Sequence, residues 1–287
     1  MARSSVEVNR VIRWFEKNSR PLPWRDPEVS PWGILVSEFM LQQTQVDRVT
    51  PKWNQWMRAW PTAASLASAP IAEVLRAWQG LGYPRRAIRL HATAHMIVER
   101  WDGEVPSEES ALLTLPGVGH YTAAAVAAFA FGQPALVLDT NIRRVIARAW
   151  AGRAGVTAHL TNAERELAQS LLSRRSGARW SAAVMELGAV VCTARAPKCQ
   201  LCPIADTCRW LAAGQPLNAP AARKQPRFEG SDRQARGALL KAVTASDPKS
   251  AIEAAWPDVE QRERALASLI ADGLVARTPK GYALPVN

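Results

Sequence analysis

Leu115-Pro116-Gly117-Val118-Gly119 lies between two stretches that read as helix, and the fold turns on what such a junction can do. Upstream, Ser107 followed by Glu108 and Glu109 has the polar cap and acidic first turn of a helix start. Downstream, an Ala-rich run from His120 to Phe131 ends at Gly132, with Pro134 just beyond, as helix ends do. Gly117 and Gly119 let the backbone turn tightly and come close to a ligand. The free N–H groups opening the second helix can then face a phosphate oxygen. An ordinary turn between two helices would use glycine in the same way.

Most of residues 1–212 shows the same helical character, with apolar residues at three- and four-residue spacing. Ser30 and Pro31 make a helix start that is expected to run to about Val49, where Pro51 stops it. Residues 135–138 are a short apolar run, either extended or a buried connector. Residues 213–230, with several prolines and basic residues, read as a linker. Beyond it, helices are expected at about 231–245, 248–255 and 259–272, then a hairpin turning at Pro279–Gly281. Three helices and a hairpin resemble a winged helix, a unit that binds DNA or partners or is merely structural.

The chain has 287 residues, 48% of them hydrophobic, enough for about two domains with their own cores. Formal net charge is +11 and the pI is near 10.2. That excess favours a polyanion such as nucleic acid as partner, although a generically basic protein would share it. No secretory signal and no run of about eighteen apolar residues is present, so a soluble, cytoplasmic protein is expected. Cys192, Cys199, Cys202 and Cys208 are its only cysteines. Gaps of six, two and five residues make one compact ligand set, suited to an iron–sulfur cluster or a structural zinc rather than to disulfides.

The glycine junction, Asp139 twenty residues after Gly119, and the cysteine set beginning fifty-three residues after Asp139 come in the order of the helix-hairpin-helix DNA glycosylases of the endonuclease III and MutY superfamily. The resemblance implies a 4Fe–4S cluster on the four cysteines and double-stranded DNA as partner. It implies an all-α fold of two helical subdomains flanking a DNA cleft, one at 29–134 and one joining 1–28 to 135–212; the small winged-helix-like domain at 231–287 is read from its own pattern, outside the resemblance. Tyr121 stands where strand-cutting members carry a lysine. A phenol cannot form an imine with the sugar, so a monofunctional glycosylase using water is expected. Val36–Val46, Leu22-Pro23-Trp24-Arg25, Gly80-Leu81-Gly82-Tyr83 and Leu138-Asp139-Thr140-Asn141 resemble the MutY-type branch, which removes adenine mispaired with 8-oxoguanine or guanine.

The chemistry follows from residue types. Glu38 shares a helical face with Ile34, Leu35, Leu41 and Gln42, where an apolar stripe favours the protonated carboxyl. It suits a general acid that protonates adenine N7. Asp139 precedes a helix whose dipole favours its ionised form, and it suits a carboxylate stabilising an oxocarbenium-like sugar. By resemblance, Tyr121 and Asn141 position the water and the sugar-side carboxylate. Gln42 and Tyr83 enter the base stack. Arg20, Leu22, Trp24 and Arg25 line the pocket of the flipped base. Gly117, Gly119, Arg195 and Lys198 meet the DNA backbone. His91 and His95, four apart, lack an evident third ligand and read as surface or core residues. Nothing points beyond a monomer.

Three departures stand out. Residues 213–287 are too short for the long domain with which typical members sense 8-oxoguanine. Ala182 stands where a Gln or Glu usually reads the adenine edge. Pro84 replaces an aromatic after Tyr83. Two rival readings remain: a thymine or uracil mismatch glycosylase, which Ala182 keeps open, and a mismatch-binding protein without catalysis, against which the two carboxylates argue.

Overall fold

The computed structural model describes residues 2–172, 176–217, 227–244, 248–279 and 281–286. In chain order the helices are α1 (Ala2–Asn18), α2 (Pro31–Leu41), α3 (Val46–Ala59), α4 (Ala63–Ala67), α5 (Ile71–Trp78), α6 (Arg85–Trp101), α7 (Glu109–Leu112) and α8 (His120–Phe131). They continue as α9 (Thr140–Ala149), α10 (Asn162–Leu171), α11 (Gly177–Val190), α12 (Arg209–Ala212), α13 (Asp232–Ala242), α14 (Pro248–Ala255) and α15 (Val259–Ala271). An antiparallel pair, β1 (Ala276–Thr278) and β2 (Gly281–Ala283), sets Arg277 opposite Tyr282. The described residues are thus all-α apart from this hairpin, and those between 228 and 286 have the three-helix-plus-hairpin pattern.

The chain divides into two compact units: Met1–Ile34, Ser107–Thr114 and Val118–Arg223, then Leu35–Pro106, Leu115–Gly117 and Lys224–Asn287. The first unit packs α1, α8, α9 and α11 about one core, with Val11, Ala125, Val184 and Leu187 fully buried. The sequence reading groups α8 with residues 29–134, whereas here its small side chains belong to the first unit's core. In the second unit α6 lies against α4 and α5, and Trp56 and Trp78 meet edge to face at 5.3 Å. The small C-terminal segment falls in this second unit, fastened by Gln79 Nε2 donating to Thr244 Oγ1 (3.4 Å) and by the Arg85–Asp272 ion pair (3.4 Å).

Local signals read well where capping chemistry is explicit. The Gly33 N–H donates to Ser30 Oγ at 3.3 Å, and Gly132 closes α8 at φ +67°. Two expectations need correction. The helix beginning at Pro31 stops at Leu41, not Val49, because Gln43 adopts φ +57° and turns the chain. Pro51 ends nothing: it sits inside α3, whose buried Val49, Trp53 and Trp56 outweigh the roughly 3 kcal/mol that an interior proline costs. Also, α7 is capped from Glu108 rather than Ser107. Residues 135–138 form no strand, and Val137 makes them a buried connector. Most of the expected linker, residues 218–226, lies outside the described residues.

Candidate active site

Asp139 is the N-cap of α9. Its Oδ1 accepts the Ile142 N–H at 2.6 Å and its Oδ2 accepts Asn141 Nδ2 at 2.7 Å. Arg144 fixes which way the Asn141 amide faces, since its Nη2 donates to Asn141 Oδ1 at 2.8 Å. The same arginine donates to the carbonyls of Gly188 (2.6 Å) and Cys192 (2.8 Å). Gly188 lets α11 reach this spot, for a Cβ there would stand 2.8 Å from the Asn141 carbonyl oxygen. The helix start favours a carboxylate, but burial raises the Asp139 pKa above its ordinary value despite hydrogen bonds from Ile142 and Asn141. The sequence expectation of a simply dipole-stabilised anion is therefore revised. Removing the carboxylate from water outweighs the dipole, leaving a more basic, more reactive group.

Tyr121, on the first turn of α8, is half-buried against the first unit's core. Glu38 belongs to the second unit. It lies on α2 between Ser37 and Phe39, both fully buried, and is itself 5% exposed. The two candidate carboxylates thus sit on different units, each set in its own by a helix.

Arg20, Leu22, Trp24 and Arg25 surround the short 3-10 turn Pro23–Arg25, with Trp24 buried. The two arginines are gathered by Glu186, a residue that sequence reasoning missed. Arg20 Nε and Nη2 donate to Glu186 Oε1 and Oε2 at 2.7 and 2.9 Å, a bidentate pairing, and Arg25 Nη2 adds a third bond at 2.9 Å. The signal was present as the single charge in the apolar run Ala182–Val191. Burial would raise the Glu186 pKa, but Arg20 and Arg25 overcome it and hold it at about 2. A carboxyl depressed from its ordinary 4.5 contributes stability above that value and loses it as pH falls toward 2. The swing is on the order of 3 kcal/mol. Glu186→Gln is expected to lower stability at neutral pH by several kcal/mol. Acid titration of unfolding midpoints should show that deficit shrinking between pH 4.5 and 2. Ala182, one turn earlier on the same face of α11, offers no side-chain hydrogen bond of its own.

Gln42 and Tyr83 are brought together in the second unit. Arg86, also missed from sequence because Arg85 beside it looks alike, bridges their two turns. Tyr83 is 44% exposed, and Pro84 directly after it is the N-cap of α6. At the glycine junction, Gly117 has φ +83° and a Cβ there would stand 2.9 Å from Arg89 Cβ, so only glycine fits. Gly119 caps α8 with open space around its Cβ position, which leaves room for a backbone oxygen to approach. Arg195 and Lys198 are exposed on the cysteine loop, and His91 is buried, bonded to the Ala69 carbonyl at 2.9 Å.

All four cysteines are free and line one hollow with Arg148, Val191, Pro197 and Trp210. Burial and the three neighbouring cysteines push the Cys202 thiol up to about 12, so four thiolates need a cationic group among them. Among the described residues no three His, Cys, Asp or Glu side chains converge as one ion would require. Four cysteine sulfurs lining one hollow are a donor set that could hold an iron–sulfur cluster. Arg148 closes the hollow by donating to the carbonyls of Ala154, Thr193 and Ala194 at 2.7–2.9 Å and lying 4.4 Å from the Trp210 ring centroid.

Residues 36–170 match the HhH-GPD superfamily of base excision DNA repair proteins, and residues 192–208 match the iron-sulfur binding domain of endonuclease III. The chain is 50% identical over 286 residues to an adenine DNA glycosylase of Mycobacterium tuberculosis, covering 98% of this chain and 94% of that protein. It is 41% identical over 208 residues to the human adenine DNA glycosylase, covering 69% of this chain and 38% of the human protein. Among solved structures, a thermostable thymine-DNA glycosylase superposes with a TM-score of 0.66 at 28% identity, covering 73% of this chain and 97% of that one. A trapped endonuclease III–DNA intermediate shares the fold, with a TM-score of 0.62 at 20% identity, covering 74% of this chain and 97% of that one. No helix of the described residues is long and apolar enough to cross a membrane.

Proposed function

The chain belongs to the adenine DNA glycosylase family of base excision repair, with a 4Fe–4S cluster on its four cysteines, and we propose that it hydrolytically removes adenine mispaired with 8-oxoguanine or guanine. The reading is carried by Asp139, whose carboxylate is desolvated by burial yet oriented through Asn141. In this reading Glu38 protonates adenine N7, so that the base leaves as a neutral molecule. Asp139 stabilises the positive charge that develops on the sugar. Water held by Tyr121 completes the cleavage, and with no amine at 121 the strand stays intact. Arg20 and Arg25, locked by Glu186, face the extruded base together with Leu22 and Trp24. Fixed cations there take over part of the edge recognition that Ala182 does not provide. Gln42 and Tyr83 fill the gap left in the stack. Gly117, Gly119, Arg195 and Lys198 hold phosphates.

The short C-terminal segment does not set the chain apart from the M. tuberculosis protein, 94% of which the alignment spans. The likeness to a thymine-DNA glycosylase, together with Ala182, supports a second reading in which thymine or uracil is removed. Duplexes carrying adenine opposite 8-oxoguanine, adenine opposite guanine, and thymine or uracil opposite guanine separate the two. Alkali-dependent breaks are expected at adenine alone, with none before alkali. Breaks at thymine or uracil would favour the second reading. In the same assay Glu38→Gln should lose about 100- to 10,000-fold in single-turnover rate while DNA affinity holds. Normal turnover would remove Glu38 from the chemistry.

A further inference from the structure

Arg86 stands in the first turn of α6 and is 6% exposed. Its Nη1 donates to the carbonyl oxygens of Phe39 (2.8 Å), Met40 (3.0 Å) and Gln42 (2.6 Å). Its Nη2 donates to Thr44 Oγ1 (2.9 Å) and to the carbonyls of Leu81 (3.1 Å) and Gly82 (2.9 Å). The first three belong to the end of α2, where helix carbonyls lose their own partners. The last two belong to the turn after α5. Thr44 Oγ1 ties the same two segments a second time, donating to the Leu81 carbonyl at 3.0 Å.

Both segments are strained. Gln43 has φ +57° and Tyr83 φ +48°, between Gly80, Gly82 and Pro84. A non-glycine residue in that region costs about 1–3 kcal/mol and persists only where its surroundings over-determine it. The four N–H groups on the two Nη atoms of a planar guanidinium can reach two carbonyl-rich turns at once, which a lysine ammonium cannot. The six acceptors are five carbonyls and a hydroxyl, so a buried charge is being spent on backbone geometry alone. What that geometry presents is outward: Tyr83, 44% exposed, with the guanidinium 5.7 Å from its ring centroid, and half-buried Gln42.

We propose that Arg86 is a positioning residue that holds Gln42 and Tyr83 at one fixed spacing, so that together they enter the stack and expel the target nucleotide. This rests on the adenine-glycosylase reading. Arg86 touches neither base nor sugar. Its effect is therefore confined to the step in which stacked DNA is opened, which costs a few kcal/mol in a paired duplex and least where the base is already unpaired.

The test uses Arg86→Lys and Thr44→Val in the full-length, cluster-loaded protein. Single-turnover excision is measured on adenine opposite 8-oxoguanine and on the same adenine opposite an abasic site, where pairing is already gone. Arg86→Lys should lose about 10- to 100-fold on the paired substrate, matching a few kcal/mol of opening cost, and about threefold or less on the abasic one. Thr44→Val, which removes one hydroxyl with little change in shape, should show the same pattern more weakly and serves if Arg86→Lys melts early. Equal losses on both substrates, or none on either, would overturn the proposal. If wild type excises no adenine, the glycosylase reading has failed instead. Fluorescence of 2-aminopurine at the target position then still reports extrusion, and equal signals from wild type and Thr44→Val would count against the role of Arg86.

Discussion

Asp139→Asn is expected to abolish excision, by about 1000-fold or more, while leaving binding to mismatched duplex within a few-fold of wild type. An anion that stabilises a developing sugar cation acts only in the transition state, so its loss falls on the rate and not on affinity. The network sharpens the effect. Arg144 orients the Asn141 amide so that its N–H group faces position 139, and an asparagine there would set donor against donor. The pH profile carries the second half of this prediction. Burial raises the Asp139 pKa above its ordinary 3.8, and only the ionised form is useful. Activity should therefore fall on acidification at a pH higher than a free aspartate would give. Asn141→Leu removes a bond to the charged form and should move that acid limb higher still. A limb unmoved in Asn141→Leu would dissociate Asn141 from the carboxylate.

Loss of the cluster is the other large effect expected. Cys202→Ala should yield protein without the yellow-brown colour, with iron well below four per chain, and destabilised by more than about 4 kcal/mol, as when a structural metal site is lost. The reason lies in what the loop has without it. Residues 192–208 contain only short 3-10 turns, Cys199–Leu201 and Ala205–Thr207. Its backbone is held by Arg148 and by the Lys198 N–H donating to the Val191 carbonyl at 2.9 Å. Arg144 bonds both Asn141 and the Cys192 carbonyl, so slackening at the cysteines reaches the Asp139 cap through one side chain. Iron analysis, thermal melting and excision rate measured on one preparation check this. Colourless protein with normal melting would show the loop to be self-supporting.

The sequence made the fold legible where chemistry is local. Ser30, Gly132 and Asp139 announce their caps because a side chain or a left-handed φ does one job at one position. The cysteines announce themselves by spacing. Failures came where tertiary packing decides. Nothing local to Pro51 reveals that Trp53 and Trp56 will carry α3 through it. Nor does a string of residues show that Gln43 will turn left-handed, since Arg86, which bonds the carbonyls on its N-terminal side and Thr44 beyond it, lies more than forty residues away. Glu186 was hidden for a similar reason: its meaning depends on Arg20 and Arg25, about 160 residues earlier. The sign of the Asp139 shift was missed because a helix dipole can be read from sequence and desolvation cannot.

The last three helices and the hairpin bear on this picture through their two fastenings. Gln79 and Arg85 flank the Gly80–Tyr83 turn, and both are gripped from the C-terminal segment, by Thr244 and by an Asp272 that Arg236 steadies at 2.6 Å. The turn is thus braced at both shoulders. The segment therefore works as a buttress. A chain cut short at residue 217 would keep every group assigned to bond breaking and lose both braces on the Gly80–Tyr83 turn.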